Sequence, residues 1–236
     1  MREKFAEDHP EILRVPVVIL AAGKGIRYKK RFKLLHRIWG KPVIVHTVEN
    51  ALKSGLRPVF VITGFQSWAI RKALSEMLTK PGLHLLENPE WIEGKASSIR
   101  LALRNLPENI PGCVFLLGDM PLIVPGQIRK VGETLLRYDR IVLPGTAQDT
   151  GHPVAFPARF FPALLELKGE EGGKTLIQKY PDEVIYLPPF PEAFLDLDQE
   201  KDLLVLKSWM KRREDGNPVM WHLIFPCWML RGEKFP

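Results

Sequence analysis

Val15 to Ala21, VPVVILA, is a continuous apolar run that ends just before Gly23. It lacks the alternation of a strand with one wet face, so it predicts a strand buried on both faces, as in parallel sheets covered by helices. A fold containing such a strand has to be wrapped around it. The charge pattern changes directly afterwards. Between Ile12 and Val48 stand nine Lys or Arg residues (Arg14, Lys24, Arg27, Lys29, Lys30, Arg31, Lys33, Arg37, Lys41) and no Asp or Glu. The whole chain carries 34 Lys and Arg against 27 Asp and Glu, a net +7; without these nine the balance would be 25 against 27, or −2. The basic character is therefore local. A cationic loop following a buried strand suits a polyanion such as a nucleoside triphosphate.

With 236 residues, 45% hydrophobic and 26% charged, the chain can build a substantial globular core. Two distant cysteines, Cys113 and Cys227, exclude a disulfide scaffold and lack zinc-ligand spacing; Cys113 is expected to pack as a small hydrophobe in a strand. The polar N-terminus shows no signal-peptide core, and no apolar run reaches membrane-spanning length. A cytoplasmic protein that does not engage a membrane is expected.

Strands and helices alternate along the chain. After Val15 to Ala21, a helix is predicted from Pro42 towards Gly55, a buried strand at RPVFVIT, a helix over Gln66 to Leu78 and a strand over Leu83 to Glu87. Then come a helix at Ser97 to Leu106, a buried run at Cys113 to Leu117 and a helix at Gln127 to Tyr138. Arg140 to Leu143 reads as a strand, Pro153 to Phe156 as extended, and Arg159 to Leu167 and Gly172 to Tyr180 as helices. Glu183 to Leu187 and Ala193 to Leu197 read as strands, and Gln199 to Lys211 as a closing helix. The alternation predicts an α/β fold with a mostly parallel open sheet and helices on both faces. Residues 1–14 form an extension, 15–207 one domain, and 208–236 a tail without an assigned place. Arg71, Lys72, Arg129 and Lys130 are expected on solvated helix faces.

Two phosphate motifs are excluded. AAGKGIR lacks the third glycine of a dinucleotide fingerprint, and no acidic residue follows it before Glu49. GGKT at Gly172 to Thr175 lacks a correctly spaced glycine and a buried strand before it, so it is not an ATPase phosphate loop. What stands is a glycine turn whose amides can face phosphate oxygens, with Lys24, Arg27 and Lys33 adding charge; the alternative is a plain turn before a solvated basic loop. LLGDMP places Asp119 past the end of a buried strand, where it is either a magnesium carboxylate or a turn or capping residue. Asp198, in FLDLDQEKDLL, is either a helix N-cap or a metal ligand. EGKASSIR (Glu93 to Arg100), a small polar loop entering a helix, suits hydrogen bonds with a base or ribose; the alternative is that Ser97 or Ser98 caps that helix. Gly151 and His152 in GHPVAFP either face the acceptor substrate or serve the structure.

In this order the motifs resemble those of the molybdenum cofactor cytidylyltransferase family, nucleotidyltransferases that act on molybdopterin. The resemblance runs from Val15 to Leu206. It is carried by LAAG (Leu20 to Gly23), Arg27, KLL (Lys33 to Leu35), NPEWIEGKASSIR, LGDMP, GHPVAFP, EEGGKTLI and the DLD before the last helix. Tyr28 and Lys29 stand where that family has Met-Gly, Phe32 where an Asn precedes the lysine, and Gln199 and Glu200 where it has Thr-Pro.

The resemblance implies a Rossmann-like nucleotidyltransferase fold, CTP with Mg2+, and transfer of CMP to the terminal phosphate of molybdenum-bound molybdopterin with release of pyrophosphate. It implies nucleotide contacts for Leu20, Ala21, Ala22, Gly23, Lys24, Gly25, Arg27, Lys33, Ser97, Ser98 and Asp119, with Lys33, Arg27 and Asp119 catalytic. Gly151 and His152 would meet the acceptor, and Asp119 with Asp198 the metal. Hand-over of product to a molybdoenzyme is a further implication. A phosphate monoester is already ionised at neutral pH, so the reaction needs no general base, in keeping with the lack of a nucleophile triad. The competing readings are a transferase for another phosphorylated acceptor, such as a sugar or polyol phosphate, and a non-catalytic carrier of molybdopterin. Nucleic-acid binding, despite a pI near 9.4, lacks aromatic-basic interleaving on a recognisable module.

Overall fold

The computed structural model describes residues 14–24 and 32–190. The strand predicted at Ala193 to Leu197, the helix at Gln199 to Lys211 and the tail lie outside these residues. Strand β1 (Val17–Ala21) sits inside a seven-stranded sheet with order β5-β4-β1-β6-β8-β7-β9. The other members are β4 (Val59–Thr63), β5 (Leu83–Glu87), β6 (Gly112–Leu117), β7 (Ile141–Pro144), β8 (Val154–Pro157) and β9 (Val184–Leu187). β5, β4, β1 and β6 run parallel; β8 is antiparallel to β6 and β7, and β9 is parallel to β7. A separate two-stranded ribbon pairs β2 (Arg37–Ile38) with β3 (Lys41–Pro42).

The all-apolar strands follow from their position. Successive side chains point to opposite faces, and here both faces are dry. Val17 and Ile19 of β1, Val59 and Val61 of β4, and Val114 and Leu116 of β6 enter one core. Val18, Phe60, Ile62, Cys113 and Phe115 enter the other. The first core is closed by α1 (Val43–Lys53), α2 (Ser67–Ala73) and α4 (Pro125–Tyr138), through Ile44, Val48, Ile70, Ile128 and Leu135. The second is closed by α3 (Lys95–Arg104), α5 (Phe161–Leu165) and α6 (Gly173–Lys179), through Ile99, Leu103, Leu164, Leu176 and Ile177. Among the described residues no helix is long and apolar enough to cross a membrane.

Element boundaries show where local chemistry decides. α1 starts directly after Pro42 and is followed by Gly55 at φ +85°, a left-handed position that glycine adopts without strain. The helix expected over Gln66 to Leu78 is regular only to Ala73 and continues in turns. Arg159 to Leu167 divides into a 3-10 turn at Ala158–Phe160 and the short α5. Arg129 differs from the solvated position expected: it is half-buried, and its Nε donates to the Ser54 carbonyl at 2.7 Å, capping the end of α1. Burial pushes the Cys113 thiol well above its usual range, so it is an inert core residue.

β1 is joined through α1 to β4, and β5 lies beyond β4; the chain then returns to place β6 on the other side of β1. Between the carboxyl ends of β1 and β6 the strand order reverses, and open α/β sheets bind ligands in such a crevice. Leu116 is fully buried in β6, at the centre of this arrangement. Leu116→Ala should lower unfolding free energy by about 3 kcal/mol, within a range of about 2–5 for such truncations. Urea denaturation with an unchanged m-value measures it, and a loss below about 1 kcal/mol would contradict a close-packed central strand.

Candidate nucleotide site at the sheet switch point

Three segments converge on the crevice. β1 delivers the turn Ala22–Gly23–Lys24. A Cβ on Gly23 would meet nothing within 4 Å, and its φ is not in the left-handed region, so neither packing nor conformation requires glycine there. The open space beside its backbone is available to a ligand. Lys24 stands over the Phe65 ring, 5.7 Å from its centroid. Phe65 in turn contacts Phe32 (5.5 Å between centroids) and Trp91 (5.6 Å), so an aromatic row supports the rim. Gly64 permits this approach, since a Cβ there would lie 2.5 Å from the Cβ of Trp91.

The second segment, Lys33–Leu35, is a 3-10 turn anchored by Leu34, which enters the same core as Ile19 and Ile44. With Leu34 pinned, Lys33 is directed across the crevice, and its Nζ donates to Oδ2 of Asp119 in a half-buried ion pair.

The third segment follows β6. Gly118 N donates to the Leu20 carbonyl at 2.9 Å, holding the loop to β1. From α1, the buried Thr47 hydroxyl donates to the Gly118 carbonyl at 3.0 Å, and Asn50 Nδ2 donates to the Pro121 carbonyl at 3.0 Å. Asp119 is thus clamped on both sides and is itself buried. It does not cap the following helix, whose N-cap position is Val124.

The resulting cavity of about 290 Å³ is lined by Leu20, Ala21, Ala22, Gly23, Lys33, Ser98 and Asp119, all expected from the sequence. Ser97 lies behind it. Asn88 Nδ2 donates to the Ser97 hydroxyl at 2.8 Å and to Ser98 at 3.0 Å, and Ser97 Oγ lies within bonding distance of the Glu90 and Gly94 carbonyls. Gly25, Arg27 and Asp198 lie outside the described residues. The lining also contains Trp91, Gly94, Lys95 and Glu170, which were not among the residues expected there. The sequence signal for them existed, since Trp91 and Lys95 belong to NPEWIEGKASSIR and Glu170 to EEGGKTLI. Gly94 and Lys95 fall in the EGKASSIR loop expected to meet a base or ribose, though not as individual site residues; without the tertiary contact between these segments Trp91 and Glu170 had no assignable role.

A second cavity of about 490 Å³ adjoins the first and contains Gly151 and His152, together with Thr150, Gly172, Lys174 and Thr175. The GGKT segment excluded as an ATPase loop therefore still borders a cavity: Gly172 is the residue before α6, and Gly173 leaves room for the Phe156 ring, 2.8 Å from where its Cβ would lie.

The MobA-like NTP transferase domain family matches the chain over residues 17–184. The chain belongs to that family. The MobA-like domain is also 36% identical over 107 residues to the bifunctional protein GlmU of Anaeromyxobacter sp. (strain K), a match covering 45% of this chain and 22% of GlmU. Among solved structures, Rv0371c from Mycobacterium tuberculosis H37Rv is 25% identical with a TM-score of 0.70, covering 83% of this chain and 98% of that one. The same protein has been solved in complex with manganese (24% identity, TM-score 0.65, 82% and 97% covered). A nucleotidyl transferase from Methanothermobacter thermautotroptrophicus, Mth528, shares the fold at 20% identity and a TM-score of 0.72, with 85% and 99% covered. The mostly parallel mixed sheet of the MobA-like domain is thus that of nucleotidyltransferases.

His152 is half-buried, and its Nδ1 is out of contact with solvent and has no partner among the described residues. Burial lowers its basicity most, the nearby Lys95 ammonium lowers it further, and a backbone hydrogen bond to Phe115 opposes both; the result is a pKa of about 4 against an ordinary 6.5. The imidazole is neutral at pH 7. As pH falls, the unfolded chain takes up this proton first, so stability is lost from about pH 6.5 down to about pH 4. Between pH 7 and pH 5 the loss from this one group should be on the order of 2 kcal/mol. His152→Gln should remove that share of the pH dependence in urea unfolding at the two pH values; identical slopes for both proteins would contradict it.

Proposed function

We propose that the protein is a nucleotidyltransferase that transfers CMP from CTP to the terminal phosphate of molybdenum-bound molybdopterin, releasing pyrophosphate. The observation that carries the reading is the Lys33–Asp119 pair beside the Gly23 turn, at the reversal point of the sheet and next to a second cavity. Membership of the MobA-like family supports the reaction class. The choice of cytidine and of molybdopterin rests on the LAAG and GDMP motifs and on the order of motifs in the sequence.

The residues also suit a divalent ion. Among the described residues no group of three or more His, Cys, Asp or Glu is placed to hold a metal. Asp119 offers a single, buried, rigidly held carboxylate, and Mg2+ takes few protein ligands when phosphate oxygens and water complete its shell. Asp119 would hold the ion, with Asp198 as a second carboxylate; the manganese complex of Rv0371c supports a divalent metal. Bound there, Mg2+ would supply charge neutralisation on the triphosphate.

The protein's own groups account for the rest. The amides of the Gly23 turn face the phosphates at close range, and Lys24, Arg27 and Lys33 balance their charge. Lys33, paired with Asp119 in the free protein, can turn to a phosphate oxygen without leaving Asp119 unpaired if that carboxylate takes the metal. Ser98, steadied by Asn88, offers a hydroxyl to the nucleoside. The second cavity takes the acceptor, with Gly151 and His152 on its wall. Catalysis then comes from positioning and electrostatics, as expected for a nucleophile that is already anionic. A Lys–carboxylate pair at the site favours catalysis over a carrier role. The acceptor is separated from a sugar or polyol phosphate by screening pyrophosphate release.

Asp119→Asn should lower pyrophosphate release from CTP plus molybdopterin by at least about 100-fold, the scale of losing one site charge or donor, with the melting temperature retained. Lys33→Ala should lose turnover on a similar scale. Substantial turnover in Asp119→Asn would sink the metal role.

A further inference from the structure

The two cavities share four lining residues: Leu20, Leu117, Lys95 and Glu170. Leu20 and Leu117 are register partners on β1 and β6 and make an apolar floor. Lys95 and Glu170 are the charged part of the common wall. Lys95 comes from the first turn of α3, Glu170 from the loop after α5. The two backbones meet at Gly94, whose φ is +102° and whose Cβ would lie 2.4 Å from the Gly169 carbonyl oxygen; the Ala96 amide donates to that oxygen at 3.0 Å. This contact fixes where Lys95 starts.

Three observations single out Lys95. First, it makes no ion pair among the described residues. Second, it runs along the border of the acceptor cavity: a Cβ on Gly172 would lie 3.2 Å from Lys95 Cδ and 4.0 Å from Nζ, and its charge is felt by His152. Third, its own helix opposes it. The first turn of a helix carries the positive end of the dipole, and α3 has no acidic residue there to offset a cation. A residue that breaks a local rule without a compensating internal contact marks a place where function overrides stability.

We propose that Lys95 is the cation that meets the acceptor's phosphate where the two cavities join, so that the acceptor is a phosphate monoester whose phosphate lies at Lys95 and whose body extends towards Gly151 and Thr175. The proposal rests on the transferase function given above. In the transfer, an acceptor phosphate oxygen forms a bond to the α-phosphorus of the nucleotide as the bond from that phosphorus to the bridging oxygen of pyrophosphate breaks. Pyrophosphate leaves with the electron pair, and the acceptor phosphate becomes half of a diphosphate bridge. Two anions have to approach each other, and Lys95 stands between them. With Lys33 and the Gly23 turn engaged by the triphosphate, Lys95 offsets the repulsion on the acceptor side.

The test is Lys95→Gln in the full chain, with CTP, Mg2+ and whichever of molybdopterin, a sugar phosphate or a polyol phosphate supports pyrophosphate release by the wild type. The acceptor KM should rise, or kcat/KM for the acceptor fall, by about tenfold or more, while the CTP dissociation constant measured without acceptor changes less than about threefold. The melting temperature should stay or rise, because the substitution removes a cation from the positive end of α3. Lys95→Arg should recover much of the loss. An unchanged acceptor KM in an active enzyme would overturn the role of Lys95 alone, as would a loss confined to CTP binding. A wild type that releases no pyrophosphate with any of the three acceptors would overturn the transferase function and this role with it.

Discussion

β1 lies between β4 and β6; from β1 the chain goes on to β4 on one flank and from β6 to β7 on the other, while α1 and α4, which make these connections, close the same core. Among the described residues no strand lies between the carboxyl ends of β1 and β6, and strands buried on both faces make the floor of the gap there. Every element of the candidate site depends on this constraint. The glycine turn follows the end of β1, Asp119 lies in the turn that follows β6, two residues past Leu117, and α1 clamps that turn through Thr47 and Asn50. Because Val17, Ile19, Val114 and Leu116 are packed into a core closed by three helices, the two turns cannot separate without opening that core.

Electrostatics then gives the gap its chemistry. A half-buried Lys33–Asp119 pair is a poor source of stability, since desolvating both charges offsets much of their attraction. Its value lies in holding a cation and a carboxylate at a place where phosphate and a divalent ion can take over from the partners. Lys95 on the wall shared by the two cavities adds positive charge where they join, while Lys24 on the Phe65 ring lines neither cavity. His152 remains neutral, so positive charge at the second cavity comes from Lys95 and Lys174 rather than from a titrating imidazole.

Much of this was legible in the sequence because apolar strands and glycine turns are local signals. VPVVILA holds β1, LLGDMP spans the end of β6 and the turn after it, and GHPVAFP holds β8, so each run carries a strand where its local pattern predicts one. Lys33 was legible as one of the cations after the glycine turn and as the start of KLL; that Leu34 anchors it came from the structure. Trp91 and Glu170 were not, and Lys95 only as part of the EGKASSIR loop, because their meeting at one cavity arises from the contact between Gly94 and Gly169, distant segments whose closeness no local pattern encodes. Ser97 and Ser98 looked alike in EGKASSIR, and Asn88 bonds both, yet Ser97 is turned to the Glu90 and Gly94 carbonyls and Ser98 lines the cavity. Arg129 looked solvated because helix periodicity does not show that the end of α1 needs a donor.

In the proposed function the gap between β1 and β6 binds a nucleoside triphosphate with a divalent ion. The most direct measurement is the melting temperature of the full chain with Mg2+ and each of the four ribonucleoside triphosphates in turn. A ligand that binds only the folded state, present at about 100 times its dissociation constant, adds about 2.7 kcal/mol, a rise of several degrees for a domain of this size. The account predicts that CTP gives the largest rise and that Asp119→Asn loses most of it. No rise with any nucleotide would contradict the site, and a rise selective for GTP would contradict the choice of cytidine.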